Sequence, residues 1–384
     1  MTPLPTDVLP EGIRSRLVHN INGITMHLLE AGFETPGRPA VLMLHGFPEL
    51  AYSWRKVMLP LAARGYHVIA PDARGYGRSS GTDVKYEDHL RPFGTLNKTH
   101  DFLALVHAMG YRSVAAVIGH DQGSPLAGWC ALARPDVFRS VIMMSSPFRG
   151  TPEPFPLNMV NETYAALHSS TIHEDLEKLN PPRKYYMRYY TTQTANENMW
   201  HAKQGLHQFL RAYYHMKSAD WKANQPFRLK ALTAQEWEKM PRYYVMDLTM
   251  GMAEQVAAEM PSEAEIDACS WLPDSELKVY SDEYARTGFQ GGLQGYRQNP
   301  DQNDLCIFAG RTIDVPCMFI GGKHDWGVYQ TPGGLEYVEG ALTTQYQGTV
   351  LVDGAGHWVQ QEQPEKVSEI LIDFLNRNRK MTSM

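Results

Sequence analysis

The chain has 384 residues, 43% of them hydrophobic and 20% charged, a composition that suits a packed globular protein and argues against disorder. The formal net charge is −6 and no long run of Lys and Arg occurs, so the sequence carries no electrostatic footprint for nucleic acid or an anionic membrane, and a small-molecule partner is expected. The opening MTPLPTDVLPEGIRSR lacks a basic segment followed by an apolar one, so no signal peptide is expected. No apolar run reaches the roughly 18 residues of a membrane-spanning helix. Cys130, Cys269, Cys306 and Cys317 are scattered, without CxxC spacing. They indicate neither a disulfide framework nor a zinc site, and read as reduced, mostly buried thiols of a cytoplasmic protein.

In chain order, the pattern predicts strands over 13–20 and 24–31, joined by a turn at Asn22-Gly23. A short apolar strand follows at 41–44. Then comes a helix over 52–63 with Trp54, Val57, Met58 and Leu61 on one face. Strand 68–70 precedes a helix over 96–109 that Gly110 stops. Residues 114–118, 127–133 and 141–144 continue as strand, helix, strand. Short apolar strands between helices signal a mostly parallel sheet covered on both faces. From about Pro147 to Cys306 the chain turns rich in Tyr, Trp, Met, Gln and Glu with helical periodicity, and 233–240 and 262–268 open with helix-capping Thr and Ser. Strands at 316–321 and 349–352 and a helix over 364–378 resume the alternation. The expected architecture is an α/β core in two parts, 1–146 and 307–384, interrupted by a mainly helical cap, 147–306, over the carboxyl ends of the strands, where open α/β sheets bind ligands.

The chemistry centres on Gly119-His120-Asp121-Gln122-Gly123, set between a strand and a helix as in a G-x-nucleophile-x-G elbow. The turn is too tight for flanking side chains and lifts Asp121 above the sheet. Ser124 lies inside the helix and is a poor candidate. An aspartate opening a helix is often no more than an N-cap, but its partners follow in the required order of nucleophile, acid, histidine. Asp325 lies just past strand 316–321, and His357, 32 residues later, just past strand 349–352. His45-Gly46-Phe47-Pro48 follows strand 41–44, which makes the backbone N–H groups of Phe47 and Gln122 the expected oxyanion donors and Phe47–Pro48 a candidate cis peptide.

A serine nucleophile suits esters and amides. A carboxylate would form a labile anhydride with these, and instead suits displacement at saturated carbon to give an alkyl-enzyme ester. Water activated by His357, itself oriented by Asp325, would then attack the Asp121 carbonyl carbon. The leaving group must be a halide or the oxygen of a strained ring.

The segment HGFPELAYSWRKVMLPLAARGYHVIAPDARGYGRSS, the elbow GHDQG and the ending GAGHWVQQEQPEKV resemble the α/β-hydrolase-fold epoxide hydrolases. The resemblance implies hydrolysis of a small epoxide to a vicinal diol without metal or organic cofactor. It also implies two cap tyrosines that bind the epoxide oxygen and donate the proton. Gly292-Leu293-Gln294-Gly295-Tyr296-Arg297 resembles the second tyrosine motif and assigns Tyr296. The first falls in Lys184-Tyr185-Tyr186-Met187-Arg188-Tyr189-Tyr190, where Tyr186 aligns and Tyr185 and Tyr189 are rivals. Gln122 stands where the family often has Trp, which bears on pocket shape. The cap is longer than a minimal one, and its 200–237 stretch is read as a pocket wall or an oligomer contact, leaving a homodimer open. Hydrolytic dehalogenation by the same Asp–His–Asp set is the rival reaction. A ligand receptor on a retired hydrolase fold is disfavoured by the intact triad.

Overall fold

A computed structural model describes residues 2–152, 171–298 and 302–379; the stretches of the expected cap at 153–170 and 299–301 lie outside the described residues. The strands, in chain order, are β1 (Ile13–Ile21), β2 (Ile24–Ala31), β3 (Ala40–Leu44), β4 (His67–Pro71), β5 (Ala116–His120), β6 (Val141–Met144), β7 (Arg183–Tyr185), β8 (Val245–Asp247), β9 (Cys317–Gly322) and β10 (Tyr346–Val352). Eight of them form one sheet in the order β1-β2-β4-β3-β5-β6-β9-β10, antiparallel at β1/β2 and β2/β4 and parallel elsewhere. Strands β3, β5, β6 and β9 are buried along their whole length, as a parallel sheet covered on both faces requires. The β1/β2 hairpin closes on Asn22 and Gly23, both with positive φ (47° and 79°), which is the backbone that Asn-Gly hairpin turns supply.

Several elements differ from expectation. The helix expected over 52–63 begins as a 3-10 turn, Ala51–Trp54, closed by the Ser53 N–H on the Leu50 carbonyl, and becomes α-helical only at Arg55–Ala63. The strand expected at 114–118 runs to His120, because Gly119 and His120 still pair with β6 opposite Met143 and Met144, while Val114 makes only an isolated bridge to Phe138. The following helix, Gly123–Ala133, starts four residues earlier than its apolar run, directly after the turn. The inserted segment contains a small sheet, β7/β8, which its aromatic-rich sequence concealed. The expected caps hold: the Thr233 and Ser262 hydroxyls accept from Glu236 and Glu265 N–H. Among the described residues no helix is long and apolar enough to cross a membrane.

Among the described residues the inserted segment adds no strand to the large sheet, and it is bonded firmly to the core. Arg55 pairs with Glu276 and donates to Gln361 Oε1 at 2.8 Å. Ser53 Oγ meets the Tyr280 hydroxyl at 2.8 Å, and the Tyr214 hydroxyl donates to the Pro48 carbonyl at 3.0 Å.

At the end of β4, Asp72 ties the core loops together. Its carboxylate takes His27 Nδ1 at 2.7 Å and accepts from the Ala51 and Arg78 N–H groups at 2.8 and 3.0 Å. Burial pushes the carboxyl up, but His27, His45 and the Arg78 N–H outweigh it and hold it at about 2, against an ordinary 3.8. A depressed carboxyl stabilises the fold above its unfolded pKa and loses that contribution as pH falls through the folded one. The stability gap between wild type and Asp72→Asn should therefore shrink by about 2 kcal/mol from pH ~4 to pH ~2, as urea titrations would read. A gap independent of pH would refute this.

Candidate active site

Asp121 follows β5 directly and has φ +50°, a left-handed backbone that costs a non-glycine residue of order 1 kcal/mol. Its neighbours explain why it is held there. A Cβ on Gly119 would lie 1.9 Å from the Gly123 carbonyl oxygen, and one on Gly123 would lie 2.2 Å from that of Leu44. The strand–turn–helix is thus pressed against β3, and the Asp121 side chain projects at the carboxyl edge of the sheet.

The two partners arrive from β9 and β10. His357 Nδ1 is 3.0 Å from Asp325 Oδ1, which also accepts from the Gly327 N–H at 2.7 Å. His357 Nε2 is 3.5 Å from Asp121 Oδ2, too long for a good hydrogen bond, and it has no other partner among the described residues. His357 and Asp325 are buried, whereas the Asp121 side chain keeps 13% of its surface open. Burial pushes the Asp121 carboxyl up, but His357, with Lys217 and His120 behind it, brings it well below the usual range, so it is ionised at neutral pH. Glu362, which the sequence reading did not single out, braces the histidine loop by accepting from the Gly356, Trp358 and Ala219 N–H groups at 2.8–2.9 Å.

The loop after β3 closes the opposite side. The Phe47 N–H donates to Asp121 Oδ1 at 2.8 Å, and Phe47–Pro48 is cis. The corresponding bond from the Gln122 N–H to that carboxylate does not occur; the Gln122 side chain accepts from the Tyr76 hydroxyl at 3.0 Å. Beneath the loop lies a fully buried pair that no sequence pattern marks. Glu49 Oε2 sits 2.6 Å from His120 Nδ1 and accepts from the Gly46 N–H at 2.9 Å, and His120 Nε2 reaches the His357 carbonyl at 2.7 Å. Burial opposes charge on both members, yet mutual attraction lowers Glu49 and raises His120.

The inserted segment supplies a wall of tyrosines over Asp121. Tyr186 opens a short helix just after β7, its N–H on the Tyr244 carbonyl at 2.8 Å. Tyr296 lies on the helix Gln290–Arg297, which approaches the core closely because a Cβ on Gly291 would lie 2.1 Å from the Gly75 carbonyl oxygen. The Tyr186 and Tyr296 rings are 6.5 Å apart, and Tyr296 is 5.5 Å from Phe47. Burial first, then neighbouring charge including Asp121, raises both phenols well above their ordinary value. The rivals are engaged elsewhere. The Tyr189 hydroxyl bonds Asn198 at 2.6 Å, and Tyr185 packs 4.3 Å from the Trp237 ring and donates to Gln330 at 3.0 Å, a side chain that the Tyr186 hydroxyl reaches only at 3.4 Å. Among the described residues no cluster of His, Cys, Asp and Glu could hold a metal ion.

The sequence profile of the alpha/beta hydrolase fold matches residues 39–364. Epoxide hydrolase A of Mycobacterium tuberculosis is 31% identical over 366 residues, covering 94% of this chain and 96% of that protein. Epoxide hydrolase 2 of Siraitia grosvenorii is 29% identical over 364 residues, covering 93% and 96%. Among solved structures, an epoxide hydrolase from an endophytic Streptomyces superposes with a TM-score of 0.75 at 30% identity, covering 97% of each chain.

The crowding at the elbow makes a stability prediction. Gly123→Ala would drive a methyl group into the Leu44 and His45 carbonyls, at 2.2 and 2.7 Å, and backbone cannot step aside. The expected cost is about 1–3 kcal/mol, the usual penalty of overpacking, read from urea unfolding. A variant as stable as wild type would show that contact with β3 does not fix the turn.

Proposed function

The chain belongs to the epoxide hydrolases of the α/β-hydrolase fold, and we propose that it hydrolyses an epoxide to a vicinal diol through a covalent ester on Asp121. The observation that carries this reading is an ionised carboxylate on a strained turn, 2.8 Å from the Phe47 N–H and 3.5 Å from a histidine held by a second carboxylate, in one site with the buried Tyr186 and the half-buried Tyr296. An Asp121 oxygen attacks a ring carbon, the carbon–oxygen bond of the ring breaks, and the departing oxygen takes a proton from a phenol. His357 Nε2 then removes a proton from a water that attacks the Asp121 carbonyl carbon, and Asp325 stabilises the imidazolium. The oxyanion is held by the Phe47 N–H, with the Gln122 N–H as the second donor when the tetrahedral carbon forms. The 3.5 Å gap before His357 suits a base that serves water and does not need to touch the nucleophile.

Residues 147–306 form the cap in this reading, and Tyr186 and Tyr296 are its proton donors. Tyr186 is preferred to Tyr185 and Tyr189 because it, like Tyr296, feels the charge of Asp121, and because its hydroxyl is the most loosely held of the three, 3.4 Å from Gln330 against 3.0 Å for Tyr185 on Gln330 and 2.6 Å for Tyr189 on Asn198. The dehalogenase alternative has less support: the matching relatives are epoxide hydrolases, and Gln122 is neither the Trp nor the Arg that halide release would favour.

The covalent step is tested by single turnover in heavy-oxygen water, where the first diol should carry oxygen from Asp121 and later turnovers the solvent label. Solvent label in the first diol would refute the ester. His357→Gln should accumulate protein plus substrate by intact mass, since histidine serves only the second step; a folded variant that stays unmodified by an epoxide the wild type consumes would remove His357 from that role. Tyr186→Phe and Tyr296→Phe should each slow alkylation by about 10²–10⁴-fold, the range for one general acid, and the double variant should nearly abolish it. Alkylation at the wild-type rate in the double variant would overturn the assignment, and loss confined to Tyr185→Phe or Tyr189→Phe would move the first donor.

A further inference from the structure

Lys217 is the last residue of the helix Leu206–Lys217 and is buried, with 3% of its surface exposed. Among the described residues no carboxylate forms an ion pair with its ammonium. Instead Nζ lies over the rings of Tyr186, Tyr213, Tyr243, Tyr244 and Trp358, at 5.1–6.0 Å from their centroids, and donates to the Tyr213 hydroxyl at 3.5 Å. Its own carbonyl accepts from the His357 N–H at 2.8 Å, so the backbone that carries the cation is fixed against the histidine loop. A buried ammonium without a carboxylate is costly, and aromatic faces recover only part of the lost hydration. Such a group is more than packing, since an apolar side chain would fill the same space without that cost.

Resting on the ester mechanism above, we infer that Lys217 is a positioning cation for ring opening: its ammonium balances the negative charge that Tyr186 acquires on giving its proton to the epoxide oxygen. Before the step the carboxylate of Asp121 is negative and the epoxide neutral. The new bond neutralises Asp121, the electron pair of the breaking bond goes to the ring oxygen, and that oxygen takes the phenolic proton. One negative charge has moved from Asp121 to Tyr186, whose ring centre is 6.0 Å from Nζ. In the second step the proton that His357 takes from water returns, through the departing hydroxyl, to the phenolate.

The test is stopped-flow alkylation of the His357→Gln enzyme by styrene oxide, where ester accumulates, with and without Lys217→Met. An ammonium 6.0 Å from the centre of the ring that takes up the charge, at the effective dielectric of a protein interior, predicts a slowing of about 10–100-fold when it is removed. The near-ultraviolet tyrosinate absorption that accompanies alkylation should weaken in parallel. With Tyr186→Phe already present, Lys217→Met should cost less than about threefold, because the charge it serves no longer forms; a merely structural lysine would cost the same in both backgrounds. If Lys217→Met does not fold, Lys217→Gln, also neutral and of similar reach, carries the same comparison. An alkylation rate within about twofold of the Lys217 enzyme, or an equal loss whether or not Tyr186→Phe is present, would overturn the inference. Failure of the Lys217-containing His357→Gln enzyme to form any ester with an epoxide that the wild type turns over would instead refute the ester mechanism on which it rests.

Discussion

Taking a carboxylate out of water costs several kcal/mol unless hydrogen bonds and opposite charge replace the lost hydration. Three carboxylates are buried around the elbow, and the local structure is largely the answer to that cost. Glu49 is met by His120, the Gly46 N–H and Gln360; Asp325 by His357 and the Gly327 N–H; and Asp121 by the Phe47 N–H and His357. The first two are closed off completely. Asp121 alone keeps part of its surface open. A charge that is stabilised yet incompletely enclosed is what the nucleophile of the proposed mechanism requires, and the glycines on either side allow the turn to hold it there.

The same constraint joins the inserted segment to the chemistry. The histidine loop does not stand on the core alone: the His357 N–H bonds the Lys217 carbonyl, the Trp358 indole donates to the Tyr214 carbonyl at 2.9 Å, and Glu362 bonds Ala219 as well as Gly356 and Trp358. His357 is therefore positioned jointly by the core and the segment that carries the tyrosines. A shift of the helix Leu206–Lys217 would move His357 as well as the aromatic wall, so the two cannot change independently.

Much of this was legible in the sequence, and the reasons are local. β3, β5, β6 and β9 read correctly because a doubly covered strand is uniformly apolar, and the Asn22-Gly23 hairpin because only certain residues take positive φ cheaply. Asp121, Asp325 and His357, which the sequence proposes as a set and the structure brings together, each sit at a strand end, and strand ends are marked by glycine. The limits are equally physical. β7 and β8 are three residues each, too short for alternation to show. Glu49 and His120 pair across 71 positions and Lys217 is buried by rings from several elements, and no spacing rule announces such pairings. Spacing alone does not separate Tyr185, Tyr186 and Tyr189, because the end of a strand running into a helix gives adjacent residues unrelated orientations.

The electrostatics of the wall also account for how the two halves of ring opening stay in step under the proposed mechanism. While Asp121 is an anion, its field helps keep Tyr186 and Tyr296 protonated, so the resting site holds both a charged nucleophile and uncharged acids. As the ester bond forms, that negative field disappears from the phenols, and their acidity rises at the moment the departing oxygen needs a proton. Hydrolysis restores the carboxylate, and with it the field that favours phenols over phenolates. Acid strength in the cap is thus set by the charge state of the nucleophile beneath it. No moving part is needed for this timing: the coupling is a consequence of placing buried phenols and a buried carboxylate in one region of low dielectric.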